Sequence, residues 1–161
     1  MSTNAAAHKR FMVEAIRLSK GGMRRGQGGP FGAVVVKGNR IIGRGWNQVT
    51  SANDPTAHAE MIAIREACAR LKTFHLEDCD LYASCELCPM CLSAAYWARI
   101  RKLYFGNTRK DAAKIAFDDA FLYRQVALPL RHRNLPMKQL LRDEALAAFR
   151  EWKKKADKVV Y

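Results

Sequence analysis

The chain has 161 residues, 28 Lys and Arg against 15 Asp and Glu, and a formal net charge of +13. That length suits one domain able to bury a core, and 49% hydrophobic residues exclude a disordered polyelectrolyte. No apolar run reaches the roughly 20 residues of a membrane span, and the opening M-S-T-N-A-A-A-H-K-R lacks the apolar stretch of a secretory signal. The expectation is a cytoplasmic protein with reduced thiols and no membrane partner. The basic residues are scattered, with only short clusters such as Arg99, Arg101, Lys102 and Lys153 to Lys155. The charge therefore reads as solvated surface ahead of nucleic-acid binding, which stays open as the second reading.

Phe11, Ala15, Ile16 and Leu18 recur at helical spacing, predicting an amphipathic helix over 8–25. The stretch G-Q-G-G-P-F-G (26–32) ends it; neither G-x-G-x-x-G nor the Walker lysine spacing is present, so it reads as a turn into a strand. That strand is Ala33–Val36, and Gly38-Asn39 turns it into a second at Arg40–Trp46. Asp54 and Pro55 predict a helix start, with the helix running to Leu71 and Met61, Ile64, Ala67 and Cys68 facing inward. Leu81–Ser84 is a short strand, Pro89–Arg99 a helix and Arg101–Phe105 a strand. A C-terminal amphipathic helix begins near Met137 and carries Leu141, Ala145, Ala148, Phe149 and Trp152. No repeat or linker divides residues 1–161, and the order predicts a mixed sheet covered by helices.

Three of the five cysteines fall within C-E-L-C-P-M-C (85–91). Cys88 and Cys91 are three apart at a helix start, so they share a face, and the free amides there favour thiolate. His58, in A-H-A-E, would complete a three-ligand zinc site with the fourth position left to water or hydroxide, the pattern of a catalytic centre. Glu60 does not share a mid-helix face with His58, but from a first turn its carboxylate can reach metal-bound water as general base, then acid. A closed site recruiting Cys85, as in a zinc-stabilised binding module, remains a rival; an iron–sulfur cluster lacks its fourth cysteine. Cys68 and Cys79 read as core thiols, and His8, His75 and His132 as surface or capping residues.

H-x-E followed by P-C-x-x-C is the known signature of zinc nucleobase deaminases. With H58-A-E60 and C88-P-M-C91, the chain resembles the cytidine deaminase-like superfamily. That resemblance implies an α/β fold, a three-layer α/β/α sandwich around a mixed five-stranded sheet. G-G-P-F-G-A-V-V-V, N-D-P-T-A-H-A-E, C-P-M-C-L, Y-W-A-R, F-D-D (117–119) and the tail ending in tyrosine resemble the bacterial guanine deaminases more closely. One departure is Leu87, where that family usually carries proline. It adds a backbone amide and freedom beside the first cysteine ligand and leaves all three ligands in place.

The resemblance implies one Zn2+ per subunit and hydrolysis of guanine, a purine base, to xanthine and ammonia. Asp119 would shuttle the proton to the leaving amine. Phe31 and Trp97 would offer ring faces, Asn47 a hydrogen bond to the purine edge, and Tyr161 a further contact. It also implies a homodimer exchanging a C-terminal segment of about 120–161, so that Asp119 and Tyr161 complete a neighbour's site. Alternatives are a tRNA adenosine deaminase, which would suit the positive charge, and a guanosine or aminotriazine deaminase.

Overall fold

The computed structural model describes residues 2–161, with side-chain surroundings from residue 5 onward. It divides into two compact units, Met1–Tyr123 and Arg124–Tyr161. The elements are α1 (Ser2–Arg24), β1 (Gly32–Lys37), β2 (Arg40–Trp46), α2 (Val49–Ala52), α3 (Ala59–Leu71), β3 (Cys79–Cys85), α4 (Pro89–Trp97) and β4 (Lys102–Asn107). They continue with α5 (Arg109–Ala113), α6 (Ala120–Ala127), a 3-10 turn at Leu130–His132 and α7 (Arg142–Lys154).

In the first unit one mixed sheet runs in the order β2-β1-β3-β4, with only the β3–β4 pair parallel. Successive side chains of a strand leave on opposite faces, and the packing follows that alternation. Ala33, Val35, Leu81 and Ala83 lie in one buried cluster with Ala63, Ile64 and Ala67 of α3 and Cys91 and Ala95 of α4. Val34, Val36 and Tyr82 lie in another with Phe11 and Leu18 of α1. His8, expected at the surface, is half-buried against this second cluster, its Nδ1 2.6 Å from the Tyr82 hydroxyl.

The expected five-stranded sheet is corrected to four strands among the described residues. One residue after β4 the chain enters a capping box. Thr108 accepts from the Asp111 amide, and Asp111 accepts from the Thr108 amide, which starts α5 in place of another strand. The α3 boundary also differs. Asp54 spends its side chain on the Thr56 amide and hydroxyl, at 2.8 and 2.7 Å, closing a local turn. The helix then begins at Ala59, with His58 as its extended N-cap.

Glycines on β2 set the approach of α3. A Cβ on Gly45 would collide with the Ala59 carbonyl oxygen, and one on Gly43 with that of Ala63. The helix therefore rests directly on the strand backbone, which fixes the height of its first turn above the sheet.

In the second unit, α7 starts at Arg142, later than expected, after Leu141 in the left-handed region at φ 47°. Arg133 donates to the carbonyls of Leu128 and Val126, at 2.9 and 3.2 Å. None of residues 124–161 is buried. No helix among the described residues is long and apolar enough to cross a membrane.

Gly45→Ala should lower stability by about 1–3 kcal/mol, because the added methyl meets backbone that cannot rotate away. Urea denaturation measures this; an unchanged midpoint would show that α3 does not depend on the glycine.

Candidate metal centre and active site

Two helix starts converge above one end of the sheet. Cys88 is the N-cap of α4, with Pro89 preset for the first helical position, and Cys91 follows one turn in. His58 caps α3 and turns its Nδ1 to 3.5 Å from each sulfur. The ligand atoms of His58, Cys88 and Cys91 all lie within 4.8 Å of one another. Cys91 is fully buried and the other two are half-buried.

The electrostatics fit a dication. Hydrogen bonding from the Cys91 thiol, then from His58 and the Cys91 amide, pulls the Cys88 thiol down to about 4. The Cys88 sulfur in turn pushes the Cys91 thiol up, assisted by burial and Glu60. His58 is raised by its hydrogen bond to Cys88. Two sulfurs in contact cannot both ionise cheaply, and a metal ion relieves that conflict by giving each thiolate a positive partner.

Glu60 sits in the first turn of α3, 6% exposed, where its Oε2 accepts the Cys91 S–H at 3.4 Å. Burial raises its pKa. Cys85 stands apart from the ligand group among the described residues. Its S–H points to the Thr108 carbonyl at 3.6 Å, and burial pushes the thiol up to about 11.

A cavity of about 440 Å³ opens beside this cluster. Phe31, Asn47, His58, Glu60, Cys88 and Asp119 all line it, joining residues drawn from five separate stretches of sequence. The Asn47 Oδ1 accepts from the Gly29 and Val49 amides, both at 3.2 Å, which leaves its Nδ2 as the free donor. Asp118 accepts the Ala120 amide at 2.9 Å just ahead of α6, while Asp119 lines the same chain's cavity and is raised by burial. Ala116, at φ 68°, makes the turn that delivers this F-D-D segment. Trp97 does not line the cavity; it is exposed at the end of α4. Tyr161 is exposed in the second unit.

Sequence reasoning missed Phe117, whose ring meets Phe31 edge-on at 5.0 Å, and Glu86 and Arg109 on the cavity wall. Phe117 opens the F-D-D motif, so its aromaticity is the signal that points to it. Arg109 was one of 28 basic residues with nothing local to set it apart.

A histidine and two cysteines close enough to share a metal ion, beside a buried carboxylate and raised on helices from one mixed sheet, form the donor set that zinc hydrolases use. Residues 5–107 match the family described as the cytidine and deoxycytidylate deaminase zinc-binding region, and the chain belongs to that family. It is 47% identical over 154 residues to guanine deaminase of Bacillus subtilis, covering 96% of this chain and 99% of that enzyme. The X-ray structure of guanine deaminase from Bacillus subtilis superposes with a TM-score of 0.92 at 47% identity, over 96% of this chain and 98% of that one. The tRNA-specific adenosine deaminase of Aquifex aeolicus is 46% identical over 100 residues, which is 62% of this chain and 66% of that enzyme.

Cys85→Ser should retain one zinc per chain, whereas Cys91→Ala should lose it, as read by metal analysis of the purified variants. Zinc lost with Cys85, or kept without Cys91, would overturn the ligand set.

Proposed function

We propose that this protein hydrolyses guanine to xanthine and ammonia. The observation that carries the reading is that Glu60 and Asp119 line one cavity with His58 and Cys88, two members of the His58–Cys88–Cys91 group. Similarity to guanine deaminase adds support because it covers 96% of the chain, well beyond the family match ending at residue 107 and through the F-D-D segment.

His58, Cys88 and Cys91 would hold the zinc ion, which would supply Lewis acidity to activate water near neutral pH. Glu60 takes one proton from the attacking water and passes it to a ring nitrogen of the base. The C2–O bond forms on attack; as the C2–N bond then breaks, Asp119 carries the proton released from the C2 hydroxyl to the exocyclic nitrogen, so that ammonia leaves and C2 becomes a carbonyl. Phe31 offers a ring face, and the Asn47 Nδ2 donates to an acceptor on the purine edge. Glu60, Glu86, Asp118 and Asp119 line the cavity, and Arg109 already answers two of these carboxylates. A neutral base suits such walls better than a phosphorylated substrate, despite the net charge of +13.

The same reading includes a homodimer formed by exchange of the C-terminal segment. Its support is that none of residues 124–161 is buried while Phe149 and Trp152 of α7 are exposed. Helices on both faces of the sheet support the three-layer arrangement. The five free cysteines suit a reducing cytoplasm.

Ammonia release by zinc-loaded protein from guanine, guanosine, adenine, cytosine and unmodified tRNA tests the substrate. Guanine should turn over well ahead of the rest; activity on tRNA alone would replace this reading with the adenosine deaminase one. Glu60→Gln should keep zinc and lose roughly 10²–10⁴-fold or more in kcat, the range of general acid–base catalysis. Full activity in that variant would remove Glu60 from its role.

A further inference from the structure

We propose that Arg109 is the positioning residue that holds the Asp119 carboxylate at the cavity and ties it to the loop that leads into Cys88. The kinetic consequence rests on the deaminase reading above. Arg109 is the first residue of α5, directly after its N-cap Thr108, and Glu86 grips it twice. Glu86 Oε2 accepts the Arg109 backbone amide at 3.0 Å, and Oε1 accepts Nε at 3.3 Å. The guanidinium then has a fixed orientation, with its Nη1 3.8 Å from Asp119 Oδ1.

Its central carbon lies 4.0 Å from the centre of the Tyr123 ring. The Tyr123 hydroxyl donates to the Leu87 carbonyl at 2.7 Å, next to Cys88. One planar cation thus joins three segments distant in sequence: the loop after β3 through Glu86, the start of α5, and the F-D-D segment with the first turn of α6. Lysine cannot copy this arrangement. A point charge on a flexible stem can meet one carboxylate, but it cannot fork between two while lying flat on an aromatic ring. A buried-side carboxylate that must face a substrate amine needs such a partner, because without one it is free to rotate towards solvent.

The test is a double-mutant cycle of Arg109→Met and Asp119→Asn, with Arg109→Lys alongside, run on zinc-loaded full chain with the compound wild type deaminates fastest. Arg109→Met should lower kcat by roughly 10–100-fold with little change in KM, and the loss should vanish in the Asp119→Asn background. Arg109→Lys should recover only part of the rate, and guanidinium ion added to Arg109→Met should recover some as well. Equal losses in both backgrounds, or no loss, would overturn the proposal.

A second readout needs no turnover. The side-chain carboxyl carbon resonance of Asp119 should titrate at higher pH in Arg109→Met than in wild type, because the nearby cation is gone. An unchanged titration would overturn the proposal even if every substrate tested proved inert. Wild type inactive on guanine, with the resonance shifted as expected, would sink the guanine reading and leave Arg109 in its role.

Discussion

The direct seat of α3 on β2 is the constraint from which the site follows. Gly43 and Gly45 remove the side chains that would hold the helix away, so the carbonyls of Ala59 and Ala63 come down on strand backbone. His58 and Glu60 flank Ala59 at that contact, and their positions are inherited from it. Fully buried β3 performs the equivalent task for the cysteines, since it ends at Cys85 and only three residues separate it from the start of α4 at Pro89. Both halves of the centre are therefore anchored to regular structure, and only short loops separate ligand from scaffold. Such placement gives the angular precision that a metal with an open position requires.

The local chemistry is unfavourable without a cation. Two sulfurs meet each other, a buried carboxylate faces one of them, and the imidazole is drawn towards its charged form. Burying unpaired charge destabilises a fold, so the rest of the first unit has to offset it. The two apolar clusters on either face of the sheet supply that offset. The price is accepted because the same proximity that strains the metal-free cluster creates a ready site for zinc.

The metal centre was legible in the sequence because its pieces are local. C-x-x-C at Pro89 and H-x-E beside Ala59 each place chemistry within one helical turn, and the four strands were visible from their apolar runs. What was not legible depended on tertiary geometry or on competition for one side chain. Asp54 reads as a helix cap, yet it closes a turn with Thr56, and that shift frees His58 to become the N-cap. Trp97 lies six residues beyond Cys91, about one and two-thirds turns, so with Cys91 and Ala95 facing the core it lands on the exposed side of α4. A fifth strand came from resemblance alone; the Thr108–Asp111 box turns the chain into a helix at that point. Arg109 could not be singled out, because its importance lies wholly in partners 23, 10 and 14 residues away.

The proposed function depends on an open zinc site made by His58, Cys88 and Cys91, with Cys85 left outside. X-ray absorption at the zinc edge of the purified protein tests it most directly. An open site should show two sulfurs at about 2.3 Å, one imidazole nitrogen and one light-atom ligand of the kind water provides. Three sulfurs around the metal would mean that Cys85 closes the shell, and the site would then be structural.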